Sequence, residues 1–172
     1  MLKTAGIILI LTAGAGLGFC RSYELSCREK SLEEILLMIR WLKGEICSRH
    51  ASLHDAFWDV SVRMNGQYRE FLRKTAEKTE TSSGMRFSEI YRGCAVEILG
   101  ELPLSEREWE LFLSLGEKLG YLDLDMQKKQ LEFLEEELGR SRDDLRAEMP
   151  AKKKVYQSLG VLGGILLAIL IW

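Results

Sequence analysis

Residues 152–172 read KKKVYQSLGVLGGILLAILIW, which is three lysines, then a stretch without a charged side chain, then a final tryptophan. From Val155 onward a helix would span about 27 Å at ~1.5 Å per residue, close to the ~30 Å hydrocarbon core of a bilayer. We therefore predict a C-terminal transmembrane helix over 153–172, with Lys152, Lys153 and Lys154 at the membrane entrance. The alternatives are a buried core helix and an interfacial helix, and the latter would need a charged face that this stretch lacks.

Residues 1–20 form a second segment that is almost free of charge, since Lys3 is its single charged side chain. One interpretation is a cleaved signal peptide, because Ala13-Gly14-Ala15 has the small-x-small form of a cleavage site. The other is a retained N-terminal transmembrane helix. Basic residues follow this segment and precede the last one, so the positive-inside rule places residues 21–152 in the cytoplasm, where unpaired cysteines stay reduced. We expect retention, whereas cleavage would give an extracytoplasmic helical bundle tethered by its C-terminal tail.

Both terminal segments contain glycines four residues apart, Gly14 with Gly18 and Gly160 with Gly164. Glycines at this spacing leave a smooth groove on one helix face, into which another helix can pack closely. The segments would then pack on each other or on the helix of a partner. The alternative is that glycine is simply common in membrane helices.

The charge-rich middle of the chain carries signals for helix starts and ends. Ser31, Ser52 and Ser105 are each followed three residues later by an acidic side chain, the pattern of a helix N-terminal cap. Asn65-Gly66 predicts a turn, and Pro150 is expected to kink or break the last helix. The predicted fold is all-α, an antiparallel six-helix bundle flanked by N- and C-terminal transmembrane helices, with bundle helices beginning near residues 31, 52, 67, 87, 105 and 123. The alternative for the first of these helices is that it runs back through Tyr23 and Leu25 to the N-terminal segment.

The sequence contains few of the residue patterns that are typical of catalytic sites. The 24 basic and 26 acidic side chains are nearly balanced, which argues against nucleic acid as a partner. The four cysteines lack a C-x-x-C spacing, and the helix start at Ser52 separates His50 from His54, so neither set predicts a metal site. No phosphate-binding loop, dinucleotide fingerprint or nucleophile elbow is present. We therefore predict a membrane-anchored helical bundle that is not an enzyme and uses no cofactor.

Two stretches carry a resemblance to a known family. One is LGEKLGYLD at residues 115–123 with Gln127 four residues later, and the other is YQSLGVLGG at residues 156–164. Together they resemble the stage III sporulation protein AB family. The resemblance implies a component of the channel that joins mother cell and forespore, in the mother-cell membrane around the forespore, with the soluble domain facing the mother-cell cytoplasm.

That family is similar to the inner-membrane platform protein of type II secretion and type IV pilus systems. The similarity implies a cytoplasmic six-helix domain over 21–152 and a partner ATPase, the stage III sporulation protein AA. It also implies contacts with other sporulation-channel membrane proteins, and it allows a homo-oligomer.

Structural roles can be assigned to the residues of the first stretch on this interpretation. Gly116 and Gly120, flanked by Leu115 and Leu119, would let another helix approach closely, and Gly120 could also end its helix in the left-handed conformation. Asp123 would cap the next helix. Gln127 falls on a leucine stripe, so its amide must find a partner inside the bundle.

Overall fold

The computed structural model describes residues 2–82, 84–120 and 123–171, with side chains described for 16, 18–82, 84–120, 123–160, 162, 163 and 166. The described residues form six α-helices and no strand, which confirms the all-α class. A π-helical turn, Gly44–Ser48, separates the first helix from the second. The helices are α1 (Leu2–Lys43), α2 (Leu53–Arg63), α3 (Gly66–Thr81), α4 (Phe87–Leu99), α5 (Glu106–Leu119) and α6 (Leu124–Ile171).

The chain forms two compact units. Met1–Lys30 and Asp143–Trp172 form one, called the terminal unit below, and Ser31–Arg142 forms the other, called the central unit. The predicted transmembrane segments belong to the terminal unit. Within the described part of the chain, no helix combines the length and the apolar character that a membrane crossing requires. The side chains of 1–15 and 167–172, on which much of that prediction rests, lie outside the described residues.

The core of the central unit follows from the periodicity of the helices. Apolar residues of α1 and the π-helical turn recur every three or four positions and are almost completely buried, namely Leu32, Ile35, Ile39, Leu42 and Ile46. Burial removes about 1.5–3 kcal/mol of unfavourable hydration for each such side chain, so this stripe contributes strongly to stability. Leucines of α6 continue the core at intervals of three and four, namely Leu131, Leu134 and Leu138.

Two of the three predicted serine caps are confirmed. The Ser52 hydroxyl accepts a hydrogen bond from the Asp55 amide at the start of α2. Ser105 and Glu108 form a reciprocal capping box at the start of α5. The predicted start at Ser31 is wrong and the alternative of a helix running back to the N-terminal segment is confirmed, because α1 passes through Ser31 without interruption. Helical residues already precede Ser31, so its first-turn amides have carbonyl partners and need no cap.

Of the kink or break predicted at Pro150, the break is wrong, since α6 continues through it to Ile171. Proline removes one amide donor from a helix and crowds the carbonyl four residues earlier. Leu145 and Met149, on the turns just before it, are buried. We attribute the continuity of the helix to this packing, which offsets the loss of one hydrogen bond in a helix of 48 residues.

Candidate functional site

The described ends of α1 and α6 pack directly against each other within the terminal unit. A Cβ atom placed on Gly18 would lie 2.6 Å from the carbonyl oxygen of Tyr156 and 3.3 Å from the Cα of Gln157. Only glycine allows this backbone approach. Gly160 is half-buried. Gly14 and Gly164 lie outside the residues whose burial the structure describes.

Two polar contacts fix the direction of this helix pair. The Lys153 Nζ donates a hydrogen bond to the Ser26 Oγ over 2.8 Å. Farther from the chain ends, the Arg146 Nε lies 2.9 Å from a carboxylate oxygen of Glu29. The residue number rises along α1 from Ser26 to Glu29, while that of the partner on α6 falls from Lys153 to Arg146. The two helices are therefore antiparallel in this unit.

The antiparallel arrangement brings the first charged residues of both helices to one level. Gly18, three residues before Arg21, faces the backbone of Tyr156, two residues after Lys154. Lys152 and Lys154 are exposed and Lys153 is half-buried. We call Arg21, Lys152, Lys153 and Lys154 the basic belt. Beyond it toward the chain ends, both helices lack charged side chains except Lys3.

Acidic side chains on the same helices partly neutralise the basic belt. The Arg21 guanidinium lies 2.7 Å from Glu24, and this hydrogen bond raises the pKa of Arg21. The Lys152 ammonium lies 2.5 Å from Glu148 and lowers the pKa of that carboxyl group. All four side chains are largely exposed, so these pairs are weak and can exchange with other charged groups.

The second candidate site is the corner where α5 ends and α6 begins, which holds the other group of predicted residues. Leu115 and Leu119 are fully buried, and the glycine that follows each of them faces α4. A Cβ atom on Gly116 would lie 2.5 Å from the ring of Tyr91, and one on Gly120 would lie 3.3 Å from the Cβ of Phe87. The two glycines therefore form the surface on which α4 packs.

Tyr91 fills this surface and is a residue that the sequence analysis missed. Its ring is fully buried and contacts four phenylalanines at centroid distances of 5.2–6.1 Å, namely Phe57, Phe71, Phe87 and Phe112. Its hydroxyl donates to the Phe112 carbonyl over 3.2 Å, and burial raises the pKa of Tyr91. A signal was available, because Phe87 and Tyr91 are four apart, the same spacing as the two glycines that they contact.

The turn from α5 to α6 is held by side chains. The Asp123 Oδ1 accepts a hydrogen bond from the Met126 amide over 2.9 Å and caps α6. The Gln127 Nε2 donates to the Leu119 carbonyl over 2.8 Å and so supplies a partner at the end of α5. Gly120 has a right-handed conformation with φ of −77°, so the expected left-handed end is wrong. A left-handed helix end supplies backbone donors to the last carbonyl groups of the helix, and here the side-chain amide of Gln127 bonds one of them, that of Leu119.

A buried carboxylate, also missed in the sequence, lies in the π-helical turn. The Glu45 side chain is 4% exposed and contacts two guanidinium groups, Arg49 at 3.0 Å and Arg63 of α2 at 2.7 Å. The hydrogen bond from Arg49 is the main cause that lowers the pKa of Glu45, against the opposing effect of burial. This arrangement joins the turn to α2.

The two histidines lie on either side of the start of α2. His54 lies between two carboxylates, 3.2 Å from Asp55 and 3.4 Å from Glu80 of α3, and stacks on Trp58. His50 has a positive φ of 53° in the connection that leads into α2. In the described part of the chain, no three histidine, cysteine or acidic side chains cluster as a metal site would require.

Comparisons with known proteins agree with this architecture. The family model for stage III sporulation protein AB matches residues 3–172. A solved structure titled "Stage III sporulation protein AB" is similar with a TM-score of 0.64 and 19% sequence identity, covering 72% of this chain and 96% of that chain. A similarity at this identity supports the fold. A search of curated proteins gives no match.

Proposed function

Since the chain belongs to the stage III sporulation protein AB family and so has a role in sporulation, we propose that it is a non-enzymatic platform in the membrane channel linking mother cell and forespore. The paired ends of α1 and α6 would be anchored in the mother-cell membrane around the forespore. The central unit would face the mother-cell cytoplasm and receive a partner ATPase, the stage III sporulation protein AA. Other membrane proteins of the channel would contact the anchored ends.

The basic belt is the observation that carries this proposal. The ends of two antiparallel helices, with Lys3 as their single charged side chain, lie on one side of it, and Gly18 lets their backbones touch. Two membrane-inserted helices need their first charged residues at a common level, where these can reach the headgroups. Glycine-mediated contact is a common means of helix association in lipid, where no hydrophobic force drives the helices together. The belt meets both requirements.

Cysteine labelling tests the orientation. Cys47 is half-buried and reachable, whereas Cys94 is fully buried and reports on unfolding. We expect a membrane-impermeant maleimide to label Cys47 only after the cells are permeabilised, with Cys94 unlabelled in both conditions. Labelling of Cys47 in intact cells would contradict a cytoplasmic central unit. It would support the alternative, an extracytoplasmic bundle released by signal cleavage near Ala13-Gly14-Ala15 and tethered by its tail.

Binding to the ATPase is a separate test. The full-length chain in detergent is immobilised and incubated with folded stage III sporulation protein AA, with and without ATP. We expect the ATPase to be retained and then lost when the central unit is unfolded by heat beforehand. Absence of retention with both proteins folded would refute the docking role while leaving the membrane anchor to be judged by the labelling experiment.

A further inference from the structure

The charge of this chain is distributed unevenly along its length. Residues 31–142, the central unit, contain 16 basic and 21 acidic side chains. The segments 21–30 and 146–154, which flank the charge-free ends, contain seven basic and three acidic side chains. Positive charge is therefore concentrated around the basic belt, and the rest of the soluble part is negative.

The basic belt presents its charge on two adjacent helices. The side chain of Arg21 is 70% exposed and that of Lys152 is 46% exposed. Lys154 is also exposed, whereas Lys153 is turned toward α1 and bonds Ser26. Long basic side chains at such a position can extend along the helices toward the headgroups. Three of the four charged side chains are thus exposed beside the nearly charge-free ends, two of them in surface ion pairs with Glu24 and Glu148.

We propose that the basic belt binds net-anionic phospholipids through their headgroup phosphates, and so selects the lipids that surround the anchored helices. The inference rests on the proposed membrane anchor and adds a ligand class to it. A nucleic acid would need an extended basic face, and the central unit is acidic. An anionic lipid needs only a small cluster of basic groups close to the hydrocarbon, because its own chains supply the remaining contacts.

The local ion pairs suit exchange with such a ligand. Glu24 and Glu148 hold Arg21 and Lys152 in exposed positions, where an ion pair gains little because water screens it. A lipid phosphate can replace either carboxylate without leaving a buried charge unpaired. Clusters of basic residues next to a membrane helix favour anionic headgroups for this reason.

The test uses the full-length chain purified in a non-ionic detergent and titrated with phosphatidylglycerol or phosphatidylcholine. Retained lipid is counted by native mass spectrometry. We expect the chain to retain phosphatidylglycerol in preference to phosphatidylcholine. The triple variant R21Q/K152Q/K154Q is expected to bind phosphatidylglycerol at least about tenfold more weakly, since each basic group near an anionic surface contributes roughly a fivefold factor. Lys153 is kept because its bond to Ser26 also holds the helices together.

Two matched variants separate charge from structure. R92Q/K128Q/K129Q removes three exposed basic groups from the central unit and should bind as the wild type does. The charge-preserving R21K/K152R/K154R should also retain phosphatidylglycerol. The inference is overturned if both lipids bind equally to the wild type, if either matched variant loses binding as strongly as the triple variant, or if inorganic phosphate in tenfold excess displaces the lipid.

A failure of the membrane anchor would be recognised separately. Alkaline carbonate extraction of membranes that contain the full-length chain measures anchoring without reference to lipid type. Release of the chain into the supernatant would refute the proposed anchor and this inference with it. A chain that stays in the membrane pellet but shows no preference between the two lipids would refute the lipid inference alone.

Discussion

Replacing Gly116 with alanine is expected to destabilise the central unit by about 1–2 kcal/mol. The added methyl group would lie 2.5, 2.6 and 2.8 Å from three carbon atoms of Tyr91, well inside van der Waals contact. The ring cannot move away, because it is fully buried among four phenylalanines and its hydroxyl is bonded to the Phe112 carbonyl. Overpacking of a core costs about 1–3 kcal/mol. Alanine regains up to about 1 kcal/mol through helix propensity, which leaves the net loss.

Thermal unfolding of the full-length chain in detergent measures this loss. The near-ultraviolet circular dichroism signal is suitable, because the aromatic cluster around Tyr91 lies in the central unit. We expect the midpoint for Gly116→Ala to fall by about 4–8 °C. Gly93→Ala is the matched control, since Gly93 is an exposed residue of α4 with no atom within 4 Å of the added methyl group. It should raise stability by about 0.5–1 kcal/mol.

The two alanine variants are expected to change the free energy of unfolding in opposite directions. If Gly116→Ala unfolds at or above the wild-type midpoint while Gly93→Ala is stabilised as expected, the close approach of α4 and α5 is not what restricts this position. A double variant gives a further check. Shortening Tyr91 to leucine should reduce the cost of the alanine, because the new methyl group would then meet a smaller side chain.

Other positions give predictions of the same kind. Gln127→Ala should lower the free energy of unfolding by about 1 kcal/mol in a denaturant titration, because the last carbonyl of α5 loses its donor. Glu45 has a pKa below its ordinary 4.5, so its stabilising effect is present above about pH 4.5 and is lost as the pH falls below it. Glu45→Gln should therefore be less stable at pH 7, where Arg49 loses its partner, and should lose less stability than the wild type between about pH 5 and pH 3. Gly18→Ile should speed amide hydrogen exchange at residues 153–158, whereas Gly16→Ile should not, because its Cβ would meet no atom within 4 Å.

Signals that act over three or four residues predicted the helix starts well. Ser52, Ser105 and Asp123 each cap a helix with a side-chain oxygen that bonds an amide three residues later, a contact that the sequence spacing alone defines. The same signal at Ser31 failed, because a cap forms only where the preceding residues are not helical. That condition depends on the course of α1 upstream, which the four-residue pattern does not contain.

For contacts between distant residues, the sequence predicted one of the two packing faces but not the residue that meets it. The spacing of Gly116 and Gly120 indicated a close helix approach, but the residue that fills it, Tyr91, belongs to another helix. The contact between Glu45 and Arg63 likewise depends on how α2 returns along the π-helical turn. A sequence pattern identifies the face that packs, whereas the partner follows from the connections between helices, whose conformations no periodicity encodes.

The π-helical turn lets the chain change its length by one residue at this point. A π-helix closes its hydrogen bonds one residue farther along than an α-helix, so Gly44–Ser48 accommodates what amounts to a one-residue insertion. Deleting the exposed Gly44 would restore regular α-helical winding and leave the following residues facing roughly as they do now. Ile46 would then come three positions after Leu42, a spacing that keeps both side chains in the apolar stripe. A deletion here should therefore cost less than one elsewhere in α1, where it would rotate every following residue by about 100°.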